Sequence, residues 1–165
     1  MSKSNLDIAH EFFYSEGKCK NYSYKPVSYA YDRFFSYYTT IGQIETNKNG
    51  EKVLLLSYYN FSPTTVKHIN YLWQACPFKI LRVPFLYSEN THKTPEELAK
   101  RCLESLETYA KSKLSQKANR EEFFSFYNML NHLNENFKTG VKIPKKFVDL
   151  HALLNDSEGD RKSVV

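Results

Sequence analysis

The segment Ser62-Pro63-Thr64-Thr65-Val66-Lys67-His68 holds the residue types best suited to chemistry. Ser-Pro opens a helix: the serine caps it, and the proline takes the first turn, where its missing N–H is not needed. Thr64 and His68 then stand four apart on one face with Lys67 alongside. The free N–H groups and the dipole of that first turn offer a seat to an anion. His68 lies roughly across the helix from Val66, so it is expected on the solvent side. There it could serve as a general base in a small nuclease or other hydrolase. A well-capped helix with a solvated polar face is the non-catalytic reading of the same residues.

Other routes to catalysis are weaker. Glu96-Glu97 and Glu121-Glu122 each fall in the first turn of an expected helix, where the dipole explains acids without catalysis. No G-x-S-x-G or Walker-type loop is present. Cys76 and Cys102 fall on apolar helix faces and read as core. Cys19 sits between Lys18 and Lys20, which would lower its thiol pKa, although a plain exposed cysteine explains it as well. The odd cysteine count, with no C-x-x-C pair, points to reduced thiols in a cytoplasm and not to a disulfide framework. His10, His68, His92, His132 and His151 lack metal-ligand spacing. No catalytic residue, metal or cofactor is therefore assigned, and the chain reads as a binding protein more than an enzyme.

Binding has more to recommend it. There are 13 Tyr and 12 Phe but one Trp, and tyrosine serves interfaces as readily as cores. The net charge of +5 is local: residues 62–118 hold nine Lys and Arg against five Asp and Glu. Nucleic-acid binding needs cations for phosphate and aromatic planes for bases. Tyr37, Tyr38, Tyr58 and Tyr59, expected on adjacent strands, would supply the planes. Thr64, Lys67, His68, Lys79 and Arg82 would surround them. A second basic run, Lys142, Lys145 and Lys146, follows Lys138 with no acid from 138 to 146. The expected partner is a protein or ribonucleoprotein complex, with RNA or DNA as a direct alternative. A non-enzymatic structural or assembly protein is a third reading.

The elements that must position these residues form an α+β fold. Residues 5–14 suit a short helix, with Asn5 as cap and Ile8, Phe12 and Phe13 inward. Residues 15–30 read as loop, with an edge strand near Tyr22–Tyr24. Phe34 to Thr39 and Ile41 to Thr46 favour strand. Asn49-Gly50 supplies the positive φ of a hairpin, and Val53-Leu54-Leu55-Leu56 suits a central strand buried on both faces. Val66, Ile69, Leu72, Trp73 and Cys76 predict the inward stripe of the helix at Pro63. Phe78 to Tyr87 returns as a strand, with Pro84 marking an edge or a bulge. The expectation is an antiparallel sheet of three to five strands with one packed helix, followed by a C-terminal segment of about three helices. Those helices start near Thr94, Asn119 and Pro144, with Gly140 closing the second. Three parts follow: residues 1–90 for the sheet domain, 91–155 for a helical segment packed on it, and 156–165 for a disordered tail. No apolar run reaches the roughly 18 residues of a membrane helix, and no secretory leader is seen. Apolar surface on the three helices suggests a homodimer.

Three stretches carry a resemblance: Phe35-Ser36-Tyr37-Tyr38-Thr39-Thr40-Ile41-Gly42, Asn49-Gly50-Glu51-Lys52-Val53, and Ser62 to His68. Together they resemble a family of small uncharacterised tailed-bacteriophage proteins, whose pattern is a Ser-Tyr-x-Thr-x-Ile-Ala strand, a hairpin and a Thr-Thr-x-x-His helix start. Gly42 stands where that pattern has alanine. The resemblance covers about residues 34–72 and brings no catalytic residue. What it implies is context: a phage accessory protein in the host cytoplasm. By that analogy it is expected to bind host machinery and to inhibit a defence system such as CRISPR-Cas, in the manner of an anti-CRISPR.

Overall fold

The computed structural model describes residues 4–14, 22–23, 26–58, 61–84, 86 and 94–163; of 22–23 and 157–163 it describes the backbone. The chain divides into a sheet unit, Met1–Lys93, and a helical unit, Thr94–Val165.

The sheet unit contains α1 (Asn5–Tyr14), β1 (Tyr22–Ser23), β2 (Val27–Ala30), β3 (Arg33–Ser36), β4 (Thr39–Thr46), β5 (Lys52–Tyr58), α2 (Pro63–Ala75) and β6 (Lys79–Pro84). The strands lie side by side in sequence order. The expected α+β class is found, but the sheet is mixed. β1 to β5 run antiparallel through hairpins, whereas β6 runs parallel to β5. The physical reason is α2, a crossover long enough to return the chain in the same direction. Val53 to Leu56 are all buried, as the apolar run predicts for a strand with neighbours on both sides. β2 falls where the sequence suggests a loop.

One core forms on the α1 and α2 side of the sheet. Phe12 meets Phe13, Tyr29 and Phe34 with ring centroids 5.0, 5.7 and 5.4 Å apart. The cap of α1 is Ser4, not Asn5. Ser4 Oγ accepts from Asp7 N–H at 3.1 Å and Asp7 Oδ2 accepts from Ser4 N–H at 3.2 Å, a reciprocal capping box. In the β4–β5 loop, Asn47 Oδ1 accepts from Asn49 N–H and Glu51 N–H at 3.0 and 2.9 Å, and Gly50 takes φ +82°.

Gly42 lets α2 approach the sheet. A Cβ there would lie 2.8 Å from Leu72 Cδ1 and 3.3 Å from Leu54 Cδ1. Gly42→Ala is expected to destabilise the sheet unit by about 1 kcal/mol, overpacking outweighing the backbone entropy that alanine saves. The midpoint of urea unfolding measures it.

In the helical unit, α3 (Pro95–Ala110) opens on Thr94, whose Oγ1 accepts from Glu97 N–H at 3.2 Å. α4 (Lys117–Asn136) starts two residues before the expected Asn119. It ends at Asn136, ahead of Gly140, because Phe137 turns extended. Arg120 Nη1 donates to the carbonyls of Leu114 and Ser115 at 3.1 and 2.8 Å and so fixes the α3–α4 turn. Asn134 holds the next connection through the Val141 carbonyl, at 2.9 Å, and through the Thr139 hydroxyl. α5 (Lys145–Ser163) continues as helical backbone through much of the expected tail. A polar stretch without proline does not by itself interrupt a helix.

Candidate functional site

The hairpin between β3 and β4 has a two-residue loop, Tyr37-Tyr38, flanked by paired Ser36 and Thr39. Tyr37 takes φ +55°, and only the first loop residue is positive, the sign pattern of a type II′ turn. Glycine favours that position; for tyrosine the left-handed region costs about 1–2 kcal/mol. Tyr37 is 52% exposed and Tyr38 78%. The two tyrosines therefore form a turn tip and do not lie on adjacent strands as the sequence suggests.

The tip is fastened from beneath. Tyr37 N–H donates to the Pro26 carbonyl at 2.7 Å, and its ring lies 5.9 Å from the imidazole of His68. A chain of hydrogen bonds then links β3 to the start of α2. Thr65 N–H donates to Ser62 Oγ at 3.3 Å, and Ser62 Oγ to Thr65 Oγ1 at 3.3 Å. Thr65 Oγ1 and Ser36 Oγ are 3.2 Å apart, and Ser36 Oγ lies 2.6 Å from His68 Nδ1. If each hydroxyl accepts one bond and donates one, the chain ends on a neutral imidazole accepting at Nδ1. Burial pushes the His68 pKa down, which favours the same neutral form.

This corrects the sequence reading of α2. His68 is 2% exposed and Ser36 1%, so no exposed general base exists here. Thr65, His68, Leu72 and Ala75 face inward; Val66 and Trp73 face out. The inward face is rotated by about one residue from the expected stripe, because hydrogen bonding to Ser36 makes the interior acceptable to Thr65 and His68. Ser36 and Thr65 carry the cluster, and neither residue type marks a site by itself. The available signal was that threonine and histidine three residues apart share a helix face.

The remaining candidates scatter. Thr64 and Lys67 are exposed on the first two turns of α2, the same end of the sheet unit as the tip. Tyr58 is half-buried at the end of β5, and Tyr59 lies outside the described residues, as does Cys19. Lys79 stands level with Val53 and Glu45, about 20 Å along β4 from the tip. Arg82, on the edge strand β6, sits 6.0 Å from the Trp73 ring centroid on α2. Lys142, Lys145 and Lys146 are exposed in the helical unit, Lys146 lying 5.0 Å from the Phe147 ring. One patch joining Lys79 to the tyrosines is therefore not formed. Cys102 is buried, and burial pushes its thiol pKa up to about 12; Cys76 is half-buried and raised for the same reason. Among the described residues, no group of three or more His, Cys, Asp or Glu is arranged to hold a metal ion, and no helix is long and apolar enough to cross a membrane.

Comparison of the chain with protein-family models, with curated proteins and with solved structures finds no match.

The histidines give a pH prediction. Burial lowers the pKa of His68 and of His151, the latter stacked 4.0 Å from Tyr127 on α4. Below the ordinary value of 6.5 the unfolded chain takes up protons that the folded chain resists. The stability from these two groups is complete above that value and is lost as pH falls towards their folded pKa values. Urea unfolding followed by circular dichroism at pH 7.5 and 5.5 is expected to show a weaker fold at pH 5.5. His68→Asn should reduce that difference.

Proposed function

We propose that this protein acts by binding, and that it presents the Tyr37–Tyr38 tip, with Thr64 and Lys67 beside it, to a host nucleoprotein or nucleic acid. The observation that supports this reading best is Tyr37 itself. A half-exposed tyrosine occupies a backbone conformation that favours glycine and is anchored to a buried hydrogen-bonded cluster. Backbone strain retained at an exposed tip is reason to look for function there. Aromatic planes stack on bases or fill partner pockets, and a nearby ammonium group suits phosphate or acidic side chains. The resemblance to tailed-phage proteins adds a context: an accessory protein that inhibits a host defence system such as CRISPR-Cas. Two of the three stretches that carry the resemblance meet in space at Ser36, Thr65 and His68.

The test uses fluorescence anisotropy with labelled single- and double-stranded RNA and DNA at 50 and 200 mM salt. A host ribonucleoprotein immobilised for surface binding forms the second arm. The double variant Tyr37→Gly/Tyr38→Ala should keep its fold, since glycine relieves the turn and Tyr38 is exposed. It is expected to bind roughly 10- to 100-fold more weakly, the loss of one engaged ring at about 1–3 kcal/mol. Equal affinity of the variant and the parent for every bound probe would discard the tip as the contact surface.

A further inference from the structure

We propose that the outer edge of β6, with the flank of α2 beside it, docks an acidic, extended protein segment that adds to the sheet as a further strand. The site is separate from the hairpin tip and does not depend on it. Among the described residues β6 ends the sheet and pairs with β5 alone. Alternate N–H and C=O groups of Lys79–Val83 therefore point away from the sheet, a ladder that only another polypeptide can match.

The side chains along this edge indicate the partner's chemistry. From Ser62 to Pro84 there is no Asp or Glu, and on β6 itself Lys79 and Arg82 are exposed. Trp73 is 50% exposed on α2, and the Arg82 guanidinium lies over its ring at 6.0 Å. Stacking on the indole restricts Arg82 while leaving its charge available, and the rest of the ring gives an apolar shelf. Val66, exposed seven residues before Trp73, extends that shelf along the same face of α2. An added strand sends every second side chain to the α2 side of the sheet. An acid in one such position would meet Arg82, and an apolar residue in the next would meet Trp73. Nucleic acid fits less well: two cations make a short phosphate track, and the backbone ladder would stay unmatched.

The experiment records amide and indole resonances of the isotopically labelled full chain. The probe is a capped eight-residue peptide alternating threonine with glutamate and valine, added to millimolar concentration. Shifts are expected at the amides of Lys79–Val83 and at the Trp73 indole. They should vanish when alternate amides of the peptide are N-methylated. Arg82→Glu should exchange the preference, so that the matching lysine peptide gives the larger shifts. Tyr37→Gly should leave the pattern unchanged. The proposal is overturned by absent or scattered shifts, by equal shifts from the methylated peptide, or by an Arg82→Glu chain that still prefers the glutamate peptide. It is equally overturned if single-stranded polyuridine RNA moves the β6 amides more than the peptide does.

Discussion

His68→Ala is expected to destabilise the sheet unit by about 3 kcal/mol, lowering its melting temperature by roughly 12–24 °C. Two terms add. The imidazole is buried, so its removal leaves a cavity beneath the tip and takes away the ring that Tyr37 packs against, 5.9 Å between centroids. Ser36 Oγ also loses its 2.6 Å partner but keeps Thr65 Oγ1 at 3.2 Å, so the unsatisfied-hydroxyl term is the smaller. His68→Asn, which restores a polar atom near Nδ1, should recover about half of the loss. Differential scanning calorimetry gives the stabilities, and hydrogen exchange at Tyr37 N–H reports the tip. That amide bonds the Pro26 carbonyl at 2.7 Å, so a loosened tip should exchange faster. A loss under 1 kcal/mol, or unchanged exchange at Tyr37, would mean that the cluster does not anchor the hairpin.

The anchoring explains why the fold was more legible than the site. Local signals gave α2, β5 and β6: a serine cap before proline, an unbroken apolar run, and Pro84 at an edge. The mixed sheet was implicit in the same signals, because a helix of 13 residues between β5 and β6 permits a parallel return. The tip was not legible. Tyr37 and Tyr38 favour strand, and their turn conformation is imposed by pairing of Ser36 with Thr39, which overrides local preference. Tyr31 repeats the pattern in the β2–β3 hairpin, with φ +56° and high exposure.

The inward rotation of α2 has the same origin. Periodicity favours Val66, Ile69 and Trp73 as the core face, and only the position of Ser36 on the neighbouring strand makes Thr65 and His68 the better choice. Long-range hydrogen bonding between residues 29 to 32 positions apart carries no local pattern in the sequence. The consequence reaches the surface. Turning the polar residues inward leaves Val66 and Trp73 outward, with Trp73 beside Arg82, so the buried cluster and the exposed shelf result from a single choice of helix face.

In the helical unit the largest expected effect belongs to Phe123→Ala, about 4 kcal/mol. Phe123 is fully buried on α4, and its ring meets Tyr127, Phe124 and Phe147 at centroid distances of 6.3 Å each. Phe147 belongs to α5, whose other anchor is His151, 4.0 Å from Tyr127 and 5.1 Å from Phe124. Among the described side chains α5 also exposes Val148 and Leu153, and these rings are its buried contacts with α4. α3 and α4 share a broader contact through Leu98, Cys102, Leu106, Leu130 and Leu133, all buried. Truncating Phe123 should therefore release α5 first. Hydrogen exchange is expected to accelerate across residues 147–156 well before it does in α3, and Phe123→Leu should cost only about 1–1.5 kcal/mol. An equal acceleration in all three helices would show that α5 unfolds only with the whole unit. If α5 does detach alone, Lys145 and Lys146 go with it, and a chain that still bound a phosphate-bearing probe unchanged would remove that basic run from the contact surface.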